Sequence, residues 1–473
     1  MQPPRAVPDF DAVRAEFALP EAFPPDVLEE AERASAERPG PGPGRFDATH
    51  VELVTIDPPG AKDLDQALGV TRRGSGFRVQ YAIADLGAVV VPGGALDAEV
   101  RRRGQTVYLP DGSVPLHPPV LSEGASSLLP DGARAAVLWT FDLDEAGEQT
   151  GVDVRRAVVR SRARLDYAGV QADVDTGSVH PAVAALPELG PLRRAHAVRR
   201  GAIELELPEQ EVVPDGAGGW TVQVRRRLDI EAWNAEISLL TGMAAARMML
   251  DAGVGLLRTL PAPEPEALKA LVRAARELGF AWPDGASVAE QMAGLTAADP
   301  AALAVRRAAT ALLRGAGYAA FDPAAGLPVP ADPGHGGIGA PYAHVTAPLR
   351  RLADRFGSEL CLTVAAGEEL PDWLRAALPA LPEAMSASDA LAGKVDRACI
   401  DRTEAALLTA RVGEEFDAVV LRPAGRDGEP GEVYVPDPPV LARCTGALTA
   451  GALVRVRLME TDPATGRIEF TAS

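Results

Sequence analysis

Cysteine is scarce in this chain of 473 residues: Cys361, Cys399 and Cys444 form no CxxC pair and no Cys/His ligand spacing. That leaves no basis for a disulfide framework or a zinc site, so any metal must rest on oxygen ligands. Aromatics are few, at 5%, against abundant Ala, Arg, Gly and Pro. This bias matches the drift of a GC-rich genome and carries no functional weight. No run of about 18 uninterrupted apolar residues occurs, so no membrane-spanning helix is expected. The start, MQPPRAVPDFDAVRAEF, has neither a basic n-region nor an apolar h-region, and a cytoplasmic protein is the expectation. There is no fixed-period repeat, which disfavours a solenoid. Positive charge is short as well, with a net charge of -19. Nucleic-acid binding normally leaves a basic footprint, so the balance argues at first against a polyanionic partner. Basic residues nonetheless cluster at Arg101 to Arg103, Arg193 to Arg200, Arg225 to Arg227 and Arg350 to Arg355. Such clusters fit either solvated helix faces or a charged channel inside an acidic protein.

What remains is an ordinary globular composition, 47% hydrophobic and 24% charged, over a length that suits roughly two to four domains. Residues 10 to 38 read as short amphipathic helices with Pro or Asp start signals, and PGPGPG (Pro39 to Gly44) ends them as a linker. From Val51 the pattern turns to strands, in VELVTID, FRVQYAIADL and AAVLWTFDLD, with GGALDAEVRRRG as one short helix between them. After GAIELELPEQEVV and WTVQVRRRL a long helical span begins, in which Ile230, Trp233, Ile237 and Leu240 recur at three- and four-residue spacing. PEALKALVRAAREL, AALAVRRAATALLRG and APLRRLADRFGSELCLTVAAG continue it. The tail holds about five short strands, the count of a small Greek-key barrel such as an OB-fold. Strands followed by helices predict an α+β fold.

The stretch VTIDPPGAKDLDQALGV sets Asp57, Asp63 and Asp65 close together in a Pro/Gly-rich turn between apolar segments. On extended backbone Asp63 and Asp65 share a face, and Asp57 closes the preceding strand, so the set can converge on one point. Converging carboxylates repel unless a hard cation such as Mg2+ or Mn2+ lies among them. In phosphate chemistry such an ion activates water and stabilises the leaving oxygen. A solvated acidic surface turn is the alternative.

TIDPPGAKDLDQAL closely resembles the first signature of the RNase II/RNase R (RNB) exoribonuclease family. Further matches follow in the family's order: YAIADLGAVV, ALDAEVRRRGQTVYLPDGSVPLHPPVLSEGASSLLPDGAR, DIEAWNAEISLLTGMAAARM and GHGGIGAPYAHVTAPLRRLADRF. Ordered matches over residues 46 to 405 are far more specific than any single motif. The resemblance implies an RNB-type catalytic domain of mixed sheet and helices that releases nucleoside 5′-monophosphates from the 3′ end of single-stranded RNA. It implies that Asp57, Asp63 and Asp65 hold the metal or organise the attacking water, and that Arg350 contacts the scissile phosphate. It further implies that Tyr108 stacks on a base, while Asn234, His344, Thr346 and Arg351 shape the channel floor.

The chain departs from the pattern. Asp65 is followed by Gln66 where the family has a second Asp, so one unit of negative charge is missing. Ala82 and Ala347 replace a family His and Ser, and Ile203 and Leu205 stand where an aromatic often clamps RNA. The N-terminal stretch is too short and too helical for the cold-shock modules that usually open the family. The expected organisation is therefore a helical N-terminal region (1–45), an RNB-type catalytic domain (46–405) and an S1/OB-like barrel (406–473), acting as a monomer with Mg2+ or Mn2+. Two rivals stay open: an RNA-binding relative that lost its chemistry through Gln66, and a metal phosphohydrolase of small substrates.

Overall fold

Apolar runs buried on both faces make the centre of one large sheet in the computed structural model, which describes residues 7–473 apart from 38–39, 43, 131, 206, 226, 297–298 and 426–428. Pro39 and Pro43 of the expected linker and Arg226 of one basic cluster lie outside the described residues. The first nine strands are β1 (Phe46–Asp47), β2 (Leu53–Asp57), β3 (Gln66–Arg73), β4 (Gly76–Ala84), β5 (Val107–Leu109), β6 (Gly112–Val114), β7 (Arg134–Leu143), β8 (Gln149–Val159) and β9 (Ser161–Asp166). β5 and β6 form a separate hairpin; the other seven strands lie in the order β1-β8-β7-β4-β3-β2-β9. Phe77 and Tyr81 of β4 and Trp139 and Phe141 of β7 are all fully buried at its centre, which is why these strands read as continuous apolar runs. β3, β8 and β9 escape the sequence reading. β8 alternates Asp153 and Arg155 with Val154, and much of its outer half is exposed.

Helices α1 (Phe10–Glu16), α2 (Pro25–Ala36), α3 (Ala95–Arg103) and α6 (Asp229–Ala252) follow the expected order, while α4 (Tyr167–Thr176) and α5 (Leu186–Arg199) were not anticipated; a second hairpin, β10 (Glu209–Pro214) and β11 (Trp220–Arg225), precedes α6. α6 runs against the segment Tyr342–His344 at Gly242. A Cβ there would lie 2.1 Å from Tyr342 Cε2 and 2.6 Å from the Ala343 carbonyl oxygen, so this approach admits only glycine. The sequence reading carried one helix through APLRRLADRF, but the helix begins at Leu352 and runs to Ala366. Arg351 is extended (φ -142°), and Asp354 Oδ1 accepts from the Ala347 amide at 2.7 Å. Pro348 and this side-chain bond together hold residues 346–351 as a turn.

The long helix Leu381–Leu408 packs against α1, β5, both strands of the second hairpin and the C-terminal barrel. That barrel is closed and five-stranded, built from Glu415–Arg422, Gly431–Pro436, Pro439–Thr445, Leu453–Asp462 and Arg467–Ala472. Its own core centres on Phe416, Val420, Val433, Val440 and Phe470, with Ala405 and Leu408 of the long helix packed into it. Arg307 grips barrel residue Glu432 through two bonds of 2.8 and 2.6 Å. The fold is α+β, with a mixed helix-and-sheet body and an S1/OB-like barrel.

Candidate active site

β2 runs antiparallel to β3 and parallel to β9, so the end of β2, the start of β3 and the loop between them lie at one edge of the sheet. Asp57 is the last residue of β2, and Asp63 and Asp65 sit in that loop. The turn 346–351, distant in sequence, closes over them. Asp65, 3% exposed, is its latch: Oδ1 accepts from the Leu349 amide at 2.7 Å and Oδ2 from Arg350 Nε at 3.0 Å. Burial pushes the Asp65 carboxyl up to about 7, with Arg350 opposing. The Arg350 side chain stays 46% exposed while its Nε is held by Asp65.

Asp57 is only half-buried as a residue, yet its Oδ2 is buried with no hydrogen-bond partner. Burial raises its carboxyl to about 6, against the pull of Arg350 and with the added repulsion of Asp63. Asp63 accepts a hydrogen bond of 2.8 Å from the Tyr108 hydroxyl. Tyr108, on β5, is 52% exposed, and burial of its hydroxyl next to Asp63 pushes the phenol well above its ordinary value. Asp57, Asp63, Asp65, Arg350 and Tyr108 therefore share one locus.

The other expected residues lie around or beneath it. Asn234 of α6 donates to the Tyr167 hydroxyl at 3.3 Å, and Tyr167 begins α4 immediately after Asp166, the β9 partner of Asp57. Arg351 is paired with Asp354 at 2.5 and 3.0 Å. His344 is half-buried, its Nδ1 2.7 Å from the Tyr318 hydroxyl and its ring edge-on to Tyr342 at 5.3 Å; burial of the ring depresses its pKa and keeps it neutral. Thr346 is buried too, and its carbonyl accepts from Gln66 Nε2 at 2.7 Å. Gln66 is used at both ends: its Oε1 accepts from the Tyr81 hydroxyl at 2.6 Å, and that hydroxyl is 2.7 Å from Ser238 Oγ of α6.

Sequence reasoning missed Tyr167 and the Tyr81–Ser238 link, because both depend on contacts between elements remote in the chain. The only local trace of the second is a tyrosine inside an otherwise apolar strand. Asp85 is structural: Arg156 and Arg45 neutralise it at 2.9 Å each. The basic clusters are also largely paired. Arg102 and Arg103 bind Glu99, Arg101 and Arg355 bind Asp97, Arg200 binds Glu236 and Arg225 binds Glu231. Ile203 and Leu205 pack against a small helical core around Leu271 and Met292.

Among the described residues, no three His, Cys, Asp or Glu side chains gather into a metal-holding group, since Asp65 is committed to Leu349 and Arg350. The donors that remain are Asp57, with its partnerless oxygen, and Asp63. That all-oxygen pair fits Mg2+ or Mn2+, which are commonly held by one or two carboxylates together with water and substrate phosphates.

A mixed sheet with a carboxylate and arginine edge and a docked five-stranded barrel defines the class. A family model described as RNB domain matches residues 45–358, and one described as RNase II-type exonuclease C-terminal S1 domain matches residues 414–473. The chain belongs to the RNB family. It is 32% identical over 331 residues to ribonuclease R of Escherichia coli (strain K12), an alignment that covers 66% of this chain and 39% of that protein. It is 29% identical over 339 residues to the human exosome complex exonuclease RRP44, covering 69% of this chain and 35% of that one. The chain thus spans well under half the length of these relatives. Among solved structures, the apo form of Mycoplasma genitalium RNase R superposes with a TM-score of 0.86 at 19% identity, over 98% of this chain and 77% of that one. Yeast Ssd1, described as a pseudonuclease, has a TM-score of 0.69 at 16% identity, over 92% and 53%. Both share the fold.

Proposed function

We propose that the chain hydrolyses single-stranded RNA from its 3′ end to nucleoside 5′-monophosphates, working as a cytoplasmic monomer with Mg2+ or Mn2+ held by Asp57 and Asp63. The observation that carries this reading is the Asp65–Arg350 latch beside the partnerless oxygen of Asp57. It aims a half-exposed guanidinium at the edge where the remaining carboxylates lie. The planar fork of Arg350 suits a phosphoryl oxygen and stabilises the charge that grows there during attack. Tyr108 offers its exposed ring face to the terminal base, which any base can use, while its hydroxyl orients Asp63. A bound divalent cation supplies neutralisation of phosphate charge and activation of water. Water oxygen bonds to phosphorus, the P–O3′ bond breaks, the shortened RNA keeps a 3′-hydroxyl and the released nucleotide keeps the phosphate.

The second reading is an RNA-binding chain that does not cut, favoured by Gln66, whose neutral amide is spent on Thr346 and Tyr81. Incubating 5′-labelled single-stranded RNA with Mg2+, with Mn2+ and with EDTA, beside an Asp65→Asn variant, separates the two. A ladder that shortens from the 3′ end only with metal and fades in the variant supports hydrolysis. Intact RNA with a clear gel shift supports binding alone.

A further inference from the structure

The site uses none of the N-terminal helices, yet α1 is built against the hairpin that carries Tyr108. Asp9 caps α1 by accepting from the Ala12 amide at 2.9 Å. Phe10, Val13 and Leu19 are buried in a cluster with Val107, Leu109 and Val114 of β5 and β6 and with Val395 and Cys399 of the long helix. That cluster is separate from the main core under the sheet. Phe10 also meets Trp220 of β11 edge-on at 5.3 Å. At the hairpin turn, Arg14 clasps Asp111 with two bonds of 2.8 and 2.7 Å, and Glu16 pairs with Arg402.

Alternation along β5 explains the arrangement. Val107 and Leu109 face the α1 cluster, so Tyr108 faces the other way, toward Asp63. A two-stranded hairpin has marginal stability by itself, and among the described residues β5 and β6 pair with no other strand. Their apolar side is covered by α1 and the long helix. At its base the hairpin meets the Arg350 turn through the Thr106 amide, which donates to the Arg350 carbonyl at 2.9 Å.

We propose that α1, through Arg14, Phe10 and Val13, is a positioning brace for Tyr108, so that the N-terminal segment sets how firmly the RNA 3′ end is held. The proposal rests on the RNA-end reading of the site, and its test separates the two. The full chain and the Arg14→Ala, Arg14→Lys, Asp111→Ala and double Arg14→Ala/Asp111→Ala variants are compared by hydrogen exchange and by steady-state cleavage of oligoadenylate, with Tyr108→Ala as reference. Exchange in segment 106–114 is expected to speed up in Arg14→Ala while β4 and β7 stay protected. KM for RNA should rise about five- to tenfold, toward the low end of one base-stacking contact, with kcat within about twofold. Arg14→Lys should recover part of the loss, and Asp111→Ala should add nothing to Arg14→Ala. Unchanged exchange in the hairpin, or a loosened hairpin with unchanged KM, overturns the brace. If the unaltered chain neither binds nor cuts RNA, the functional reading falls, and hairpin exchange alone then decides whether α1 braces it.

Discussion

Replacing Gln66 by Asp puts back the charge that the family pattern calls for, and the structure predicts that the change harms the protein. The amide donates to the buried Thr346 carbonyl at 2.7 Å and accepts from Tyr81 at 2.6 Å. A carboxylate has no proton to donate and is one methylene shorter, so the Thr346 carbonyl loses its donor and the Tyr81 hydroxyl is left with Ser238. A buried polar group left without its partner costs about 1–3 kcal/mol. The new charge also falls among carboxylates already strained by burial and mutual repulsion, Asp57 raised to about 6 and Asp65 to about 7. Together these effects give a loss of roughly 2–5 kcal/mol without metal, enough to lower the urea midpoint clearly. Gln66→Glu keeps the reach and an acceptor for Tyr81 but not the donor, and should fall between. Tyr81→Phe removes one bond without adding charge and should cost about 1 kcal/mol. The assay is urea unfolding in EDTA and again in excess Mg2+, with RNA cleavage measured alongside. If Gln66→Asp unfolds at the unaltered midpoint in EDTA and cleaves faster with Mg2+, position 66 is a vacant ligand site and the pinning argument is wrong.

Arg350→Ala should lower the cleavage rate about 10²- to 10³-fold, as expected for a lost charge-stabilising donor, and Arg350→Lys should regain only a small part, since a point charge does not reproduce the fork; single-turnover cleavage measures both. Tyr108→Ala should weaken RNA binding by the worth of one stacked base, about 1–3 kcal/mol, while Tyr108→Phe keeps the ring and should bind within about threefold of the unaltered chain by fluorescence anisotropy. Glu404 gives a pH dependence. It is buried on the long helix, where it accepts from the Leu441 amide at 3.2 Å and from Gln210, and burial raises its carboxyl to about 8. Between the ordinary carboxylate range near 4.3 and about 8 the folded chain holds this proton and the unfolded chain does not, so the group's contribution to stability declines as pH rises through that window. Glu404→Gln removes the titration. The melting-temperature difference, variant minus unaltered chain, should grow from pH 5 to pH 8, and a flat difference would show that Glu404 ionises normally.

Those predictions draw on parts of the molecule that the sequence revealed unevenly. Strands buried on both faces, such as β4 and β7, and the barrel strands announce themselves by apolar content. β8 and β9 do not, because their polar residues serve the fold through partners far away, as Arg156 of β8 does in reaching Asp85 and Glu359. The carboxylates and Arg350 were legible because their motifs are local. Their partners were not: Asp65, expected among the metal-site carboxylates, also holds the arginine turn through Leu349 and Arg350. Gln66 read as a missing charge, whereas its amide is a two-ended pin whose partners, Thr346 and Tyr81, lie 280 and 15 residues away.

The same pairing bears on the conflict between a net charge of -19 and the polyanionic substrate proposed above. Most clustered arginines are neutralised by carboxylates inside the body, so they add little to a long-range field, and the barrel's Arg455 and Arg457 are likewise held by Asp417 and Glu415. On the proposed reading, attraction for RNA concentrates at Arg350, whose side chain stays 46% exposed although Asp65 pairs with it, with Tyr108 beside it. Few phosphate contacts make a shallow dependence on salt, and a stacking contact depends little on it. On that reading, a chain arranged this way would hold an RNA end through one arginine, one ring and the ion its carboxylates admit, so the geometry of the turn 346–351 and of the Tyr108 hairpin would matter more to it than total charge.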